Sequence, residues 1–151
     1  MDKITTKHRS WNMSRIRCRD TRPELKVRKY LHSRGYRYRI NYKITGRPDI
    51  VFPNRKIAIF VHGCFWHRHG CKNSVIPKTN TAFWKRKLVS NVLRDEQVRE
   101  RLRTEDWKVL TVWECEVEKD IDLVCRWLRQ RLSNVATSRK TVDSLRLSSI
   151  A

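Results

Sequence analysis

Hydrophobic spacing changes style along this chain, and each change marks an element. Residues 1–20 show little periodicity and read as a basic arm with room for one short helix. Thr21-Arg22-Pro23-Glu24 is a helix start: Thr21 and Glu24 have capping-box spacing and Pro23 suits a first turn. That helix runs to about residue 33, with Leu25, Tyr30 and Leu31 as inward positions, and Gly35 ends it. Tyr36, Tyr38, Ile40 and Tyr42 then alternate with Arg37, Arg39 and Asn41, which predicts a strand. Gly46-Arg47-Pro48 is a turn that delivers Asp49 to a second strand over 49–52, and Pro53-Asn54 is a tight turn. The all-apolar run 57–61 predicts a central strand covered on both faces.

Residues 62–78 are irregular. Trp84, Leu88, Val92, Val98 and Leu102 form the stripe of a long helix over about 81–105. A further strand is expected over 107–113. Asp120 caps a last helix with Ile121, Val124, Trp127, Leu128 and Leu132 inward. The Ser/Thr-rich segment from 133 reads as a flexible tail. The order of helix, three strands, helix, strand, helix predicts a small α/β sandwich with a mixed sheet. The expected units are an arm over 1–20, a domain over 21–132 and a tail over 133–151.

At 151 residues the chain has the size of one ordinary domain, and 39% apolar content excludes a mainly disordered polymer. No apolar run approaches a membrane span, and the N-terminal segment lacks the apolar core of a secretory signal. Reducing surroundings, cytoplasm or nucleoid, are the expected location. Charge adds more. The net charge is +20, and residues 1–93 hold 23 of the 35 basic residues but only 4 of the 15 acidic ones. Solubility does not require so lopsided an excess; a polyanion, nucleic acid above all, is its natural partner.

His62-Gly63-Cys64-Phe65-Trp66-His67-Arg68-His69-Gly70-Cys71 packs three histidines and two cysteines into ten residues. Cys64, His69 and Cys71 are three close candidate ligands, and Cys115, just beyond the strand at 107–113, can close a tetrahedral set suited to structural zinc. An irregular polar loop needs such a staple. The alternative is a set of free thiols. A disulfide framework fits poorly with five cysteines in a basic intracellular chain. Cys18 reads as an arm residue and Cys125 as a buried core thiol.

The segments Arg9-Ser10-Trp11-Asn12-Met13-Ser14-Arg15-Ile16-Arg17, Asp20 to Leu25, Gly46 to Phe52, Phe60 to Cys71, Trp84 to Leu88, Asn91 to Asp95 and Val109 to Cys115 together resemble the very short patch repair endonucleases. The resemblance covers roughly residues 8–130. It implies a core like that of restriction endonucleases and a magnesium-dependent enzyme that nicks DNA 5′ of the thymine in thymine–guanine mismatches left by 5-methylcytosine deamination. It also implies a cytosine methyltransferase in the same host, a mismatch-repair matchmaker as a possible partner, and no membrane. One compact basic domain acting on a non-palindromic lesion suits a monomer.

Carried over residue by residue, the resemblance makes Asp49 the central magnesium ligand, following Pro48 in the superfamily's Pro-Asp motif. The next metal contact is a main-chain carbonyl, at Val61 here where the family carries threonine. His67 becomes the general base, a role its side-chain type suits at neutral pH. His62 falls near the scissile phosphate, and His69 is left for the zinc. Asp95 orients His67 or a metal-bound water, against a plain surface reading; Glu24 contacts metal-bound water, against a capping reading.

Phe65, Trp66 and Trp84 correspond to an intercalating wedge, although each could also be ordinary core. Arg9, Arg15, Arg17, Arg19, Arg22, Lys85, Arg86 and Lys87 are candidate phosphate contacts, and Trp11, Asn12 and Met13 candidate clamp residues. Two other readings remain: an endonuclease of different specificity, and a silent zinc-stabilised DNA-binding module, for which Val61 is the one favourable feature.

Overall fold

The computed structural model describes residues 5–15, 19–133 and the backbone of 143–144. Within the arm the side chains of Arg9, Asn12 and Met13, together with Arg17 and Cys18, lie outside the described residues. So does the rest of the tail.

The elements are α1 (Thr6–Ser14), α2 (Arg22–Ser33), β1 (Ile50–Phe52), β2 (Ile57–His62), α3 (Cys64–His67), α4 (Thr81–Thr104), β3 (Lys108–Trp113), α5 (Glu114–Lys119), α6 (Ile121–Ser133) and β4 (Asp143–Ser144). The sheet order is β1-β2-β3-β4. β1 runs antiparallel to β2, while β2–β3 and β3–β4 are parallel, so the sheet is mixed as expected. A parallel β2–β3 pair needs a crossover, and α4 supplies it.

Strand alternation sorts the two faces. Ile57, Ile59 and Val61 point toward one side, where Val27 and Leu31 of α2, Val117 of α5 and Val124, Leu128 and Leu132 of α6 complete a core. Val51, Ala58 and Val109 point the other way, against Leu102 of α4 and Trp107, with Phe60 and Val98 beside them. The result is an α/β/α sandwich consistent with a restriction-endonuclease-like fold.

Four expectations need correction. Residues 36–42 form no strand: Arg39 makes one isolated antiparallel bridge to Val51. The alternation is physical only over residues 36–39, because Ile40, expected on the tyrosine side, is 48% exposed. Tyr36 and Tyr38 turn their rings edge-on to Phe52 at 6.3 and 6.2 Å, while Arg37, Arg39 and Ile40 face outward. Leu25 is 48% exposed, because the buried α2 positions are Pro23, Glu24, Val27 and Leu31. Val92 is exposed too. The inward row of α4 is Leu88, Asn91, Asp95, Val98 and Leu102, at 3-4-3-4 spacing, with two polar residues in it. Finally, the capping box of α2 is rearranged. The Thr21 hydroxyl donates to Glu24 Oε1 at 2.8 Å, and Glu24 Oε2 accepts from the Asp20 amide at 2.9 Å.

α5 was not expected from sequence; its short length carries no full amphipathic period. Asp120 does cap α6, its Oδ1 accepting from the Leu123 amide at 2.9 Å.

Candidate functional site

Asp49 sits just before β1, where its amide donates to the Ile59 carbonyl at 3.1 Å. The turn before it is locked. Gly46 has φ +76°, and a Cβ there would run into Val98 Cγ1 on α4, so any other residue at this position is strained. The Asp49 carboxylate reaches across to β2 and accepts from the Val61 amide at 2.7 Å through Oδ2. No other hydrogen bond to this carboxylate forms among the described residues.

Burial pushes the Asp49 pKa up to about 6; the Val61 amide holds it back, Glu24 nearby raises it further, and Arg28 and His67 lower it. A half-buried carboxylate of this kind, with one oxygen left over, is suited to a hard cation completed by backbone carbonyl, water and phosphate oxygens.

His62 is the last residue of β2. Two positions beyond Phe60, it shares the α4 side of the sheet. Its ring stacks on His67 of α3 at 3.9 Å and 12°. Burial, then the neighbouring His67, drives its pKa down to about 3, so His62 is a neutral ring near pH 7. His67 Nδ1 lies 2.5 Å from Asp95 Oδ2 on α4. A carboxylate accepts, which assigns the shared proton to Nδ1. The Asn91 side chain donates to the Trp66 carbonyl at 3.2 Å, so two residues of one α4 row hold the one-turn helix that carries His67.

Glu24 is buried at the base of this region. Arg28 Nη2 donates to Glu24 Oε2 and to the Asp49 carbonyl, each at 3.2 Å, and Nη1 to Asp20 Oδ1 at 2.5 Å. Arg28 joins α2 to the start of β1. Sequence reading passed over it because a helix-surface arginine four residues after a glutamate looks like an ordinary ion pair. A groove of about 870 Å³ opens here, lined by Asp49, Glu24, Arg19, Arg28, Lys43 and Arg47 among others.

Cys64, His69, Cys71 and Cys115 present one ligand atom each, all within 4.8 Å of one another. His69 Nε2 lies 3.3 Å from Cys64 Sγ and 3.4 Å from Cys115 Sγ. Such distances fit the edges of a tetrahedron with metal–sulfur bonds of about 2.3 Å. The loop and α5 are also joined directly: Glu114 Oε2 accepts from the Cys64 amide at 3.2 Å. His69 stacks on Trp113 at 4.1 Å, which orients its ring. Burial pushes the Cys64 and Cys115 thiols up, a disadvantage that coordination to a cation reverses. Cys125 stands apart, fully buried in α6.

Phe65 and Trp66 contact each other at 4.9 Å, and Phe65 meets Trp84 at 5.3 Å. Phe83, 45% exposed, extends the patch and was not among the candidates. Lys85, Arg86 and Lys87 are exposed beside it on α4, Arg19 is exposed ahead of α2, and Arg22 is exposed as its first residue. Arg15 lies over the Trp11 ring at 4.3 Å. Among the described residues no helix is long and apolar enough to cross a membrane.

The family model described as DNA mismatch endonuclease Vsr matches residues 1–73. The type II nicking enzyme V.XorIIP of Xanthomonas oryzae pv. oryzae is 44% identical over 117 residues, 77% of this chain and 86% of its own. The chain belongs to the Vsr family. The type II nicking enzyme V.NmeAIP of Neisseria meningitidis is 43% identical over 132 residues, covering 87% of this chain and 93% of its own. The DNA mismatch endonuclease Vsr of Escherichia coli K12 is 40% identical over 132 residues, 87% and 83% respectively. Membership of the Vsr family makes this chain a DNA nicking endonuclease, and DNA its partner.

Proposed function

We propose that this chain is the strand-specific, magnesium-dependent member of a very short patch repair system, nicking the phosphodiester 5′ of the thymine in a thymine–guanine mismatch. The observation that carries the reading is the pairing of His67 with Asp95 over the neutral His62 ring, one residue from the Val61 amide that binds Asp49.

In this reading His67 Nε2 accepts a proton from the attacking water, and Asp95 fixes the tautomer and steadies the resulting imidazolium. His62, being neutral, presents a polar edge to water or phosphate without adding charge. Asp49, the Val61 carbonyl and the Glu24 region would hold magnesium, which supplies charge neutralisation at the phosphate and lowers the pKa of a bound water. Glu24 also serves as a cap, so its two readings are compatible.

Selectivity would come from the aromatic patch. Parting a base step costs a few kcal/mol, about, and a wobble pair is easier to deform than a Watson–Crick pair. Phe65, Trp66 and Trp84 form the wedge, and zinc on Cys64, His69, Cys71 and Cys115 keeps their loop stiff. Arg19, Arg22, Lys85, Arg86 and Lys87 contact phosphates, together with Arg9, Arg15 and Arg17 of a clasping arm over 1–20. Residues 21–132 are the catalytic domain, acting as a monomer in the bacterial cytoplasm and paired functionally with a cytosine methyltransferase and a mismatch-repair matchmaker.

Val61 is compatible with catalysis because the metal contact assigned to this position is a main-chain oxygen. The test uses duplexes differing in one thymine–guanine pair, with both strands labelled, randomised flanks, and magnesium or chelator. A magnesium-dependent nick in the thymine strand of the mismatched duplex alone supports the proposal. Equal cutting of both duplexes contradicts it and favours another specificity.

A further inference from the structure

Residues 34–43 and 52–55 enclose a groove of about 1300 Å³ that the nuclease chemistry does not use. Arg34, Arg37, Arg39, Lys43 and Arg55 line it, and no acidic residue does. All five are exposed, and none makes an ion pair among the described residues. Arg37 Nη1 donates to the His32 and Tyr36 carbonyls and Arg34 lies over the Tyr30 ring at 5.1 Å, contacts that leave the positive charge itself for a polyanion to neutralise.

The groove is a built surface. The Tyr36 and Tyr38 rings rest edge-on against Phe52, and the Tyr38 hydroxyl donates to the Arg28 carbonyl at 3.0 Å. Arg39 exchanges two backbone hydrogen bonds with Val51, at 2.8 and 2.9 Å. The tyrosines that alternate through this segment therefore anchor it, and the intervening arginines project from a fixed floor. Arg55 is tied by Nη1 to the Leu132 carbonyl at 2.5 Å, which sets the opposite wall.

Continuity selects the occupant. Asn41, Tyr42 and Lys43 form a ridge that lines this groove on one side and the Asp49 groove on the other. A duplex presents one negative charge per ~1.7 Å of axis. One that engages Asp49 carries its phosphates across that ridge once it is long enough. We propose that this groove is a second DNA-backbone track, which grips the duplex flanking the cut and contributes affinity and footprint but no chemistry. The inference relies on the nuclease assignment only for the identity of the polyanion; it is independent of mismatch specificity.

The test measures binding of Arg34→Gln/Arg39→Gln protein to duplexes of about 12 and about 30 base pairs centred on one site, across a salt series without divalent metal. For the long duplex, the log–log salt slope is expected to fall by roughly 2, one unit for each phosphate contact removed. Binding to the short duplex should match wild type, as should the single-turnover rate at saturating protein. Arg39→Glu should weaken long-duplex binding further. A long-duplex slope equal to wild type, in a variant with wild-type Tm, would overturn the proposal and leave the groove to an acidic protein partner. Equal weakening on both duplexes would also overturn it, because the residues would then belong to the Asp49 groove.

Discussion

The Asp49 carboxylate accepts a 2.7 Å hydrogen bond from the Val61 main-chain amide, so the residue before β1 and the penultimate residue of β2 meet through backbone rather than through the Val61 side chain. Val61→Thr should therefore change the nicking rate by less than about threefold, since no main-chain atom is displaced. Asp49→Asn should reduce the rate by about 100-fold or more while leaving the DNA Kd near wild type. Single-turnover rates at saturating protein, with separate binding curves, check both.

His67 and Asp95 make a second pair with a distinct signature. His67→Ala should lower the rate by about 10² to 10⁴. Asp95→Asn should lower it by a similar factor, because an amide no longer enforces the Nδ1–H tautomer. The rate loss should appear with unchanged DNA affinity. A rise in Kd of matching size would instead make these two residues binding groups.

Metal content separates a zinc staple from a set of free thiols. Purified protein should hold one zinc per chain by elemental analysis. Cys64→Ser, Cys71→Ser and Cys115→Ser should lose it and drop Tm by more than about 10 °C, the metal's binding energy being part of folding. Stoichiometric metal retained in all three variants would contradict the ligand set.

Gly46→Ala tests how the Asp49 turn is held. The new methyl would collide with Val98 Cγ1 on a backbone with φ +76°, so a cost of about 1–3 kcal/mol is expected. A chemical-denaturation curve reads it directly.

Cys125 gives the chain an alkaline liability. Burial raises its thiol pKa to about 12, with Asp122 adding and Arg34 opposing. The folded state holds this proton more tightly than the unfolded chain, whose thiol titrates near 8.5, about. Its contribution is full below that value and is lost as pH rises toward 12. The stability of wild type relative to Cys125→Ala should therefore shrink between pH 8 and pH 11, about.

Legibility in the sequence followed the physics of each segment. β2 was clear because an all-apolar run bounded by turns has few other readings, and the gathering of Cys64, His69, Cys71 and Cys115 was clear because dense cysteine and histidine rarely has another purpose. Residues 36–42 carried strand alternation, yet Tyr36 and Tyr38 pack on Phe52, Tyr42 packs on Trp107 and a single bridge is left, an arrangement that local pattern cannot distinguish from pairing. Asp95 was named through the resemblance alone, and the role of Asn91 was not; with Leu88, Val98 and Leu102 the two complete one helix row, and polar residues in such a row point to a partner. Arg28 was hidden, because its link to the Asp49 carbonyl spans 21 residues and leaves no local pattern.

The central claim is that this site selects a mismatched thymine, and rate constants test it most directly. Thymine–guanine, thymine–adenine and cytosine–guanine duplexes of otherwise identical sequence would be cleaved by excess protein in one magnesium-containing mixture, each strand carrying its own label. The account predicts a nick only 5′ of the mismatched thymine, at least about 100-fold faster than any cut in the paired duplexes, and absent in Asp49→Asn. Rate constants within a few-fold across the three duplexes would contradict it.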